Sequence, residues 1–187
     1  MLVQSNPLVK GTQAPDFNLL DTVSDKMVSL QDVRGEKGTV IMFICNHCPF
    51  VLHVNDELVR LAKDYQDKGF GFVAISSNDV NYVPQDGPQY MKQHAAAIGY
   101  PFPYLYDETQ EVAQKYDAVC TPDFYVFDAD LKSVYHGKLD DSRPGRRNPV
   151  DGQAIRTVLD TLLQGEEYTG SELPSIGCSI KWKSSAF

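Results

Sequence analysis

The sequence predicts an α/β fold built on a central mixed β-sheet flanked by helices. Three observations carry that expectation. Residues 39–44 form a near-continuous apolar run rich in β-branched side chains. From Pro49 the apolar residues change to helical spacing, and residues 70–76 form a second apolar run. Such runs between turn signals suit strands buried on both faces, as in parallel sheets.

Taken in order, residues 11–16 open the ordered part. Residues 17–20 and 27–30 flank the polar segment 21–25 and predict an N-terminal β-hairpin at the sheet's margin. The run 39–44 ends at Cys45-Asn46-His47-Cys48, after which Val51, Val54, Leu58, Leu61, Ala62 and Tyr65 mark one helix face. Lys68-Gly69 closes that helix before the strand 70–76, so residues 39–76 read as one βαβ unit. Residues 84–87 predict a turn, and 89–98 and 107–116 predict helices. Strands at 124–128 and 133–136 read as an antiparallel pair, and Ile155, Val158, Leu159, Leu162 and Leu163 mark a last amphipathic helix. The segment 166–187 has no clear period and predicts an irregular C-terminal tail that holds Cys178 and Trp182.

A chain of 187 residues, 42% of them apolar, suits one domain over 1–187, with its core at about 8–165. The net charge of −8 repels phosphate backbones, which excludes nucleic acid as the expected partner. The first residues lack a basic region followed by an apolar one, and no apolar run approaches a membrane span. A cytoplasmic protein with no membrane partner is therefore expected.

Four cysteines are too sparse for a disulfide scaffold, and in a reducing cytosol closely spaced cysteines suggest catalysis or metal binding over structural bridging. Cys45 and Cys48 sit where a buried strand gives way to a helix. The unpaired N–H groups there, and roughly half a positive charge, favour a thiolate. Spacing of i and i+3 allows the two sulfurs to bond. His47 as an imidazolium would stabilise the thiolate and make the pair more oxidising, the alternative being an exposed histidine without a role. Which sulfur attacks stays open. Cys45 is slightly preferred, although Pro49 fits the first helical position best, which would make Cys48 the cap and the thiolate. His53, His94 and His136 read as surface or packing residues.

On these residues the chain resembles the thioredoxin-like superfamily in its AhpC/TSA, peroxiredoxin-related branch. The resemblance runs from Gly11-Thr12-Gln13-Ala14-Pro15-Asp16-Phe17 to Thr121-Pro122-Asp123-Phe124-Tyr125-Val126-Phe127-Asp128 and covers about residues 8–165. Cys45-Asn46-His47-Cys48-Pro49-Phe50 together with Ile176-Gly177-Cys178 is similar to an uncharacterised peroxiredoxin-like subgroup. The resemblance implies a thioredoxin-like fold in which Pro122 is a cis-proline facing the dithiol and Thr121 offers its backbone to an extended substrate. Cys120 then lies near the dithiol, as a third redox cysteine or as a small packing residue. Cys178 folds back as a resolving cysteine or packs.

The expected activity is thiol–disulfide exchange without a cofactor, on a protein or small-molecule disulfide, with a thiol reductant still to be identified. A thiol peroxidase is the first alternative. It lacks the threonine that would stand three residues before its cysteine, because Met42 and Cys45 occupy that place, and Arg143 is its nearest arginine. A metal-binding module at Cys45, His47 and Cys48 is the second, short of the four ligands a structural zinc takes. A redox sensor or a scaffold that kept the fold alone completes the set. An edge strand and the tail offer surfaces for a homodimer.

Overall fold

The computed structural model describes residues 1–184. Residues 185–187, the end of the predicted tail, lie outside the described residues. The chain runs β1 (Leu2–Gln4), β2 (Asn18–Asp21), β3 (Met27–Ser29), α1 (Leu30–Val33), β4 (Gly38–Phe43), α2 (Pro49–Gln66) and β5 (Phe70–Ser76). A single 3-10 turn, Pro84–Asp86, leads to α3 (Pro88–Ile98), β6 (Tyr104–Tyr106), α4 (Glu111–Lys115), β7 (Cys120–Thr121) and β8 (Asp123–Asp128). β9 (Ser133–Gly137), α5 (Gln153–Leu163) and β10 (Ile176–Ser179) complete it.

Seven strands form one mixed sheet in the order β3-β2-β6-β5-β4-β8-β9. β4 lies inside it, parallel to β5 and antiparallel to β8, and all six of its residues are buried. Alternate side chains of a strand point to opposite faces, so β4 feeds two cores. Val40, Met42 and Ile44 join one with Leu58 and Leu61 of α2 and Ile155 and Leu159 of α5. Ile41 and Phe43 join the other with Leu30, Val33, Val112 and Tyr116. Burying a side chain such as Leu58 or Leu61 stabilises by roughly 1.5–3 kcal/mol, which is why the apolar stripe of α2 fixes the helix against the sheet. The β2–β3 hairpin lies at the sheet's margin.

Three segments differ from the sequence reading. The helix expected over 107–116 begins only at Glu111, because Gln110 takes a left-handed conformation (φ 66°). Asp107 stays outside the helix and accepts from the backbone N–H groups of Val112 and Ala113. β6 is a three-residue strand whose pattern is too short to read. The tail is irregular over most of its length but carries one strand: β10 is the middle strand of a second sheet, β1-β10-β7, with Leu2 opposite Cys178 on one side and Cys178 opposite Thr121 on the other.

That tail is held closely. Ser179 N–H donates to Met1 O and Ile180 N–H to Val119 O, each at 2.9 Å. Ser175 Oγ donates to the buried Asp123 carboxylate at 2.8 Å, whose other oxygen pairs with His136 Nε2 at 2.8 Å. Gly177 passes so near the backbone that a Cβ there would stand 2.0 Å from Thr121 O. Gly177→Ala is therefore expected to push β10 off β7, with the Ile180 amide exchanging its hydrogen at least about tenfold faster while β4 amides stay protected. Unchanged protection at Ile180 would mean that the strand yields without parting.

Candidate active site

β4 ends one residue before Ile44, and the chain turns through Cys45-Asn46-His47 into α2. Pro49 is the first residue of that helix and Cys48 is its N-cap. Proline suits this position because its missing N–H would have no partner there. Val51 and Leu52 N–H both donate to Cys48 O at 3.0 Å, which fixes the cap's backbone. Both sulfurs are reduced, and both residues are buried, Cys45 at 1% and Cys48 at 0% exposure.

The Thr121-Pro122 bond is cis, and its loop closes over the two thiols. Cys48 Sγ lies 3.5 Å from Thr121 O, and Cys45 Sγ lies the same distance from Thr121 Oγ1. The structure thus brings Cys45, Cys48, Thr121 and Pro122 together. Cys120 is fully buried on β7, and burial first, then the charges of Asp123 and Cys48, push its thiol up. Cys178 is half-buried and packs against the core that contains Cys45 and Cys48.

The two motif cysteines are electrostatically unequal. A hydrogen bond from Cys45 is the largest influence on Cys48 and, with the Cys178 thiol and the Val51 N–H, brings it down to about 4 despite burial. The same bond, burial and the Asp86 charge drive Cys45 in the other direction, well above the ordinary thiol range. The pair shares a proton, and the arrangement keeps it on Cys45 and leaves the thiolate at the helix N-terminus.

His47 has a different partner from the one its sequence position suggests. Its Nδ1 donates to Asp86 Oδ2 at 2.6 Å. Asp86, fully buried, also accepts from Asn46 N–H and Asn78 Nδ2, each at 2.8 Å. Asn78 in turn accepts from Lys181 N–H at 2.8 Å, which links this network to the tail. His47 therefore orients the motif through Asp86; it is not among the groups that hold the Cys48 thiolate. Asp86 is the site residue that the sequence reading missed. Its only local signal is an aspartate in a Pro-x-Asp-Gly turn, 38 positions beyond Cys48.

One sulfur, nitrogen and oxygen atom of Cys45, His47 and Asp86 lie within 4.8 Å of one another, the one such set of three metal-ligand types among the described residues. A zinc ion there would have three donors, one short of the four a structural site takes, and Cys48 is not among them.

Beside the dithiol, Phe50 and His53 of α2, Pro122, Ser142 and Ile176 line a cleft. His53 Nε2 and Ser142 Oγ are buried there without a protein partner, so a polar ligand would find two groups to bond. Arg143 is exposed and lines a separate polar depression with Lys138, Asp141 and Arg146. No helix among the described residues is long and apolar enough to cross a membrane.

The model of the AhpC/TSA family matches residues 10–136. The crystal structure of an uncharacterized conserved protein from Geobacillus kaustophilus superimposes with a TM-score of 0.97 at 60% identity, over 100% of this chain and 98% of that one. A hypothetical protein from Sinorhizobium meliloti 1021 gives 0.94 at 40% identity, over 97% and 99%. The thioredoxin domain of a thiol-disulfide oxidoreductase from Bacteroides vulgatus gives 0.63 at 18% identity, over 82% and 99%, a likeness of fold. No curated protein matches the sequence.

Proposed function

The chain belongs to the AhpC/TSA family, and we propose that it is a thiol–disulfide oxidoreductase in which Cys48 is the reactive thiolate and Cys45 the resolving thiol. The observation that carries this reading is the buried dithiol at the start of α2, with Cys48 as the helix N-cap and Cys45 Sγ against the Thr121 hydroxyl. A dithiol so placed has a nucleophile at neutral pH and a second thiol to resolve the mixed disulfide. Cys48 forms a bond with one sulfur of a disulfide and the other sulfur leaves as a thiolate. Cys45 then attacks Cys48, its proton passes to the second leaving sulfur, and a Cys45–Cys48 disulfide remains. Pro122 and Thr121 hold the reacting sulfurs from the opposite side.

The same pair supports a second reading, reduction of a hydroperoxide. Cys48 would take the terminal oxygen as a sulfenic acid while the alcohol leaves, and Cys45 would then form the Cys45–Cys48 disulfide, its proton leaving with the hydroxide as water. Arg143 is exposed on a polar loop, which favours disulfide exchange.

A stabilised thiolate stabilises the reduced form. The Cys45–Cys48 couple is accordingly expected nearer the potential of protein disulfide isomerase, about −180 mV, than that of thioredoxin, about −270 mV. The pH dependence has a definite sign. The Cys48 pKa lies below the ordinary value of 9.0, so its contribution to the reduced protein's stability is present above pH 9. It is lost as the pH falls through about 4. Equilibration in glutathione buffers with alkylation trapping, together with thiolate ultraviolet absorbance of the reduced protein against pH, measures both. A potential at or below that of thioredoxin, or a lowest thiol titration near 9, would contradict the assignment of Cys48. Sulfenic acid formed by peroxide in a protein that makes no Cys45–Cys48 bond in glutathione would establish the peroxidase.

A further inference from the structure

The sequence reading gave Thr121 and Pro122 to an extended substrate chain. In the folded protein that backbone edge is occupied by the chain itself. β10 pairs antiparallel with β7, Cys178 opposite Thr121 and Ser179 opposite Cys120, and β1 covers the other side of β10. The strand rests on the loop without space between, as the Gly177 contact with Thr121 O requires. A protein substrate would have to displace a strand tied down at both ends, by Ser175 to Asp123 and by Lys181 to Asn78. What this strand presents to the dithiol is a cysteine. Thr121, opposite Cys178, is the residue whose carbonyl and hydroxyl touch Cys48 and Cys45.

We propose that Cys178 is a third redox-active cysteine, the one that meets low-molecular-weight thiols and disulfides and exchanges with Cys48 inside the same chain. The inference rests on the dithiol reading above and adds its route to solvent. Cys45 and Cys48 are buried, while Cys178 is half-exposed and packs on the core that holds them. Ile176, on the same face of β10 two residues earlier, lines the cleft where His53 and Ser142 carry unpartnered polar atoms.

The electron balance closes with one co-reactant, a small disulfide RSSR. Cys178 attacks RSSR, its proton goes to the departing sulfur, and RSH leaves with Cys178–S–SR formed. The Cys48 thiolate attacks Cys178 Sγ, and RS⁻ leaves. Cys45 attacks Cys48, and the departing Cys178 takes the Cys45 proton. One disulfide has been reduced and one, Cys45–Cys48, has formed. Run backwards with two thiols, the same steps reduce the protein. Burial is the main cause that raises the Cys178 thiol, to about 11, so its first step accelerates with pH across the neutral range.

The test uses the full chain and glutathione disulfide. In Cys45→Ser, peptide mapping without reductant should find a Cys48–Cys178 disulfide. In Cys178→Ser, with a folded near-ultraviolet circular dichroism spectrum, the Cys45–Cys48 bond should form about tenfold more slowly or worse. Acid-quenched wild-type protein should contain glutathione on Cys178 before it contains a Cys45–Cys48 bond, a readout that needs no variant. An unchanged rate in Cys178→Ser, or glutathione first on Cys48, overturns the relay and leaves the dithiol reading intact. Absence of any Cys45–Cys48 bond in the wild-type protein overturns both.

Discussion

Cys48→Ser should reduce turnover of a small disulfide, with dithiothreitol as the electron source, to below about one-thousandth of the wild-type rate. Cys45 should be recovered as a free thiol after the reaction. Serine keeps the cap's size and backbone but offers no thiolate near neutral pH. It also removes the largest influence on Cys45, yet burial and the Asp86 charge remain to keep that thiol protonated. Cys45→Ser should behave differently. Its Cys48 still attacks and is then found in a disulfide that it cannot pass on, so the protein stalls after one half-reaction. Mass mapping after alkylation separates the two cases. Cys48→Ser protein that accumulates a mixed disulfide on Cys45, with Cys45→Ser inert, would give the nucleophile's role to Cys45.

Asp86→Ala should be the most destabilising change at the site. The carboxylate is fully buried and accepts from His47 Nδ1, Asn46 N–H and Asn78 Nδ2. Its loss strands the buried Asn78 amide and two part-buried donors, at a cost of about 3 kcal/mol. For a chain of this size that lowers the melting temperature by about 6–12 °C. Asp86→Asn separates charge from shape. It keeps the side chain's volume and removes the charge that helps to hold Cys45 high. The pH profile of Cys45–Cys48 ring closure should therefore move to lower pH in Asp86→Asn, by a smaller loss of stability than in the alanine variant. A profile that does not move, measured by stopped-flow with glutathione disulfide, would exclude an effect of the carboxylate on Cys45.

Asp86 also explains how the motif and the tail are coupled. The residue joins His47 and Asn46 of the motif to Asn78 after β5, and Asn78 holds Lys181 just past β10. A charge that adds to the upward shift of Cys45 therefore belongs to the network that holds the segment after β10. Histidine in such a motif reads as a cation beside a thiolate only while its own partner is unknown. With Asp86 at 2.6 Å, His47 serves first to hold the buried carboxylate.

The residues by themselves determined the βαβ unit, the last amphipathic helix and the dithiol at a strand-to-helix junction. Each is a local property. β-branched runs, helical spacing and a proline that fits only the first turn act over a few residues, and they leave the same mark in the sequence as in the fold. Even the choice of Cys48 as cap was legible, in Pro49. What the tertiary structure alone decided are the partners across the chain. The pairing of Leu2 with Cys178, of Cys178 with Thr121 and of Asp86 with His47 joins segments that no period connects. β1, β7 and β10 have only two to four residues each, too few for alternation to stand out. Their strand character comes from the neighbours that complete their hydrogen bonds. A buried charge is likewise stabilised by whichever donors the fold brings to it, so the roles of Asp86, His47 and Cys178 follow from packing and not from spacing.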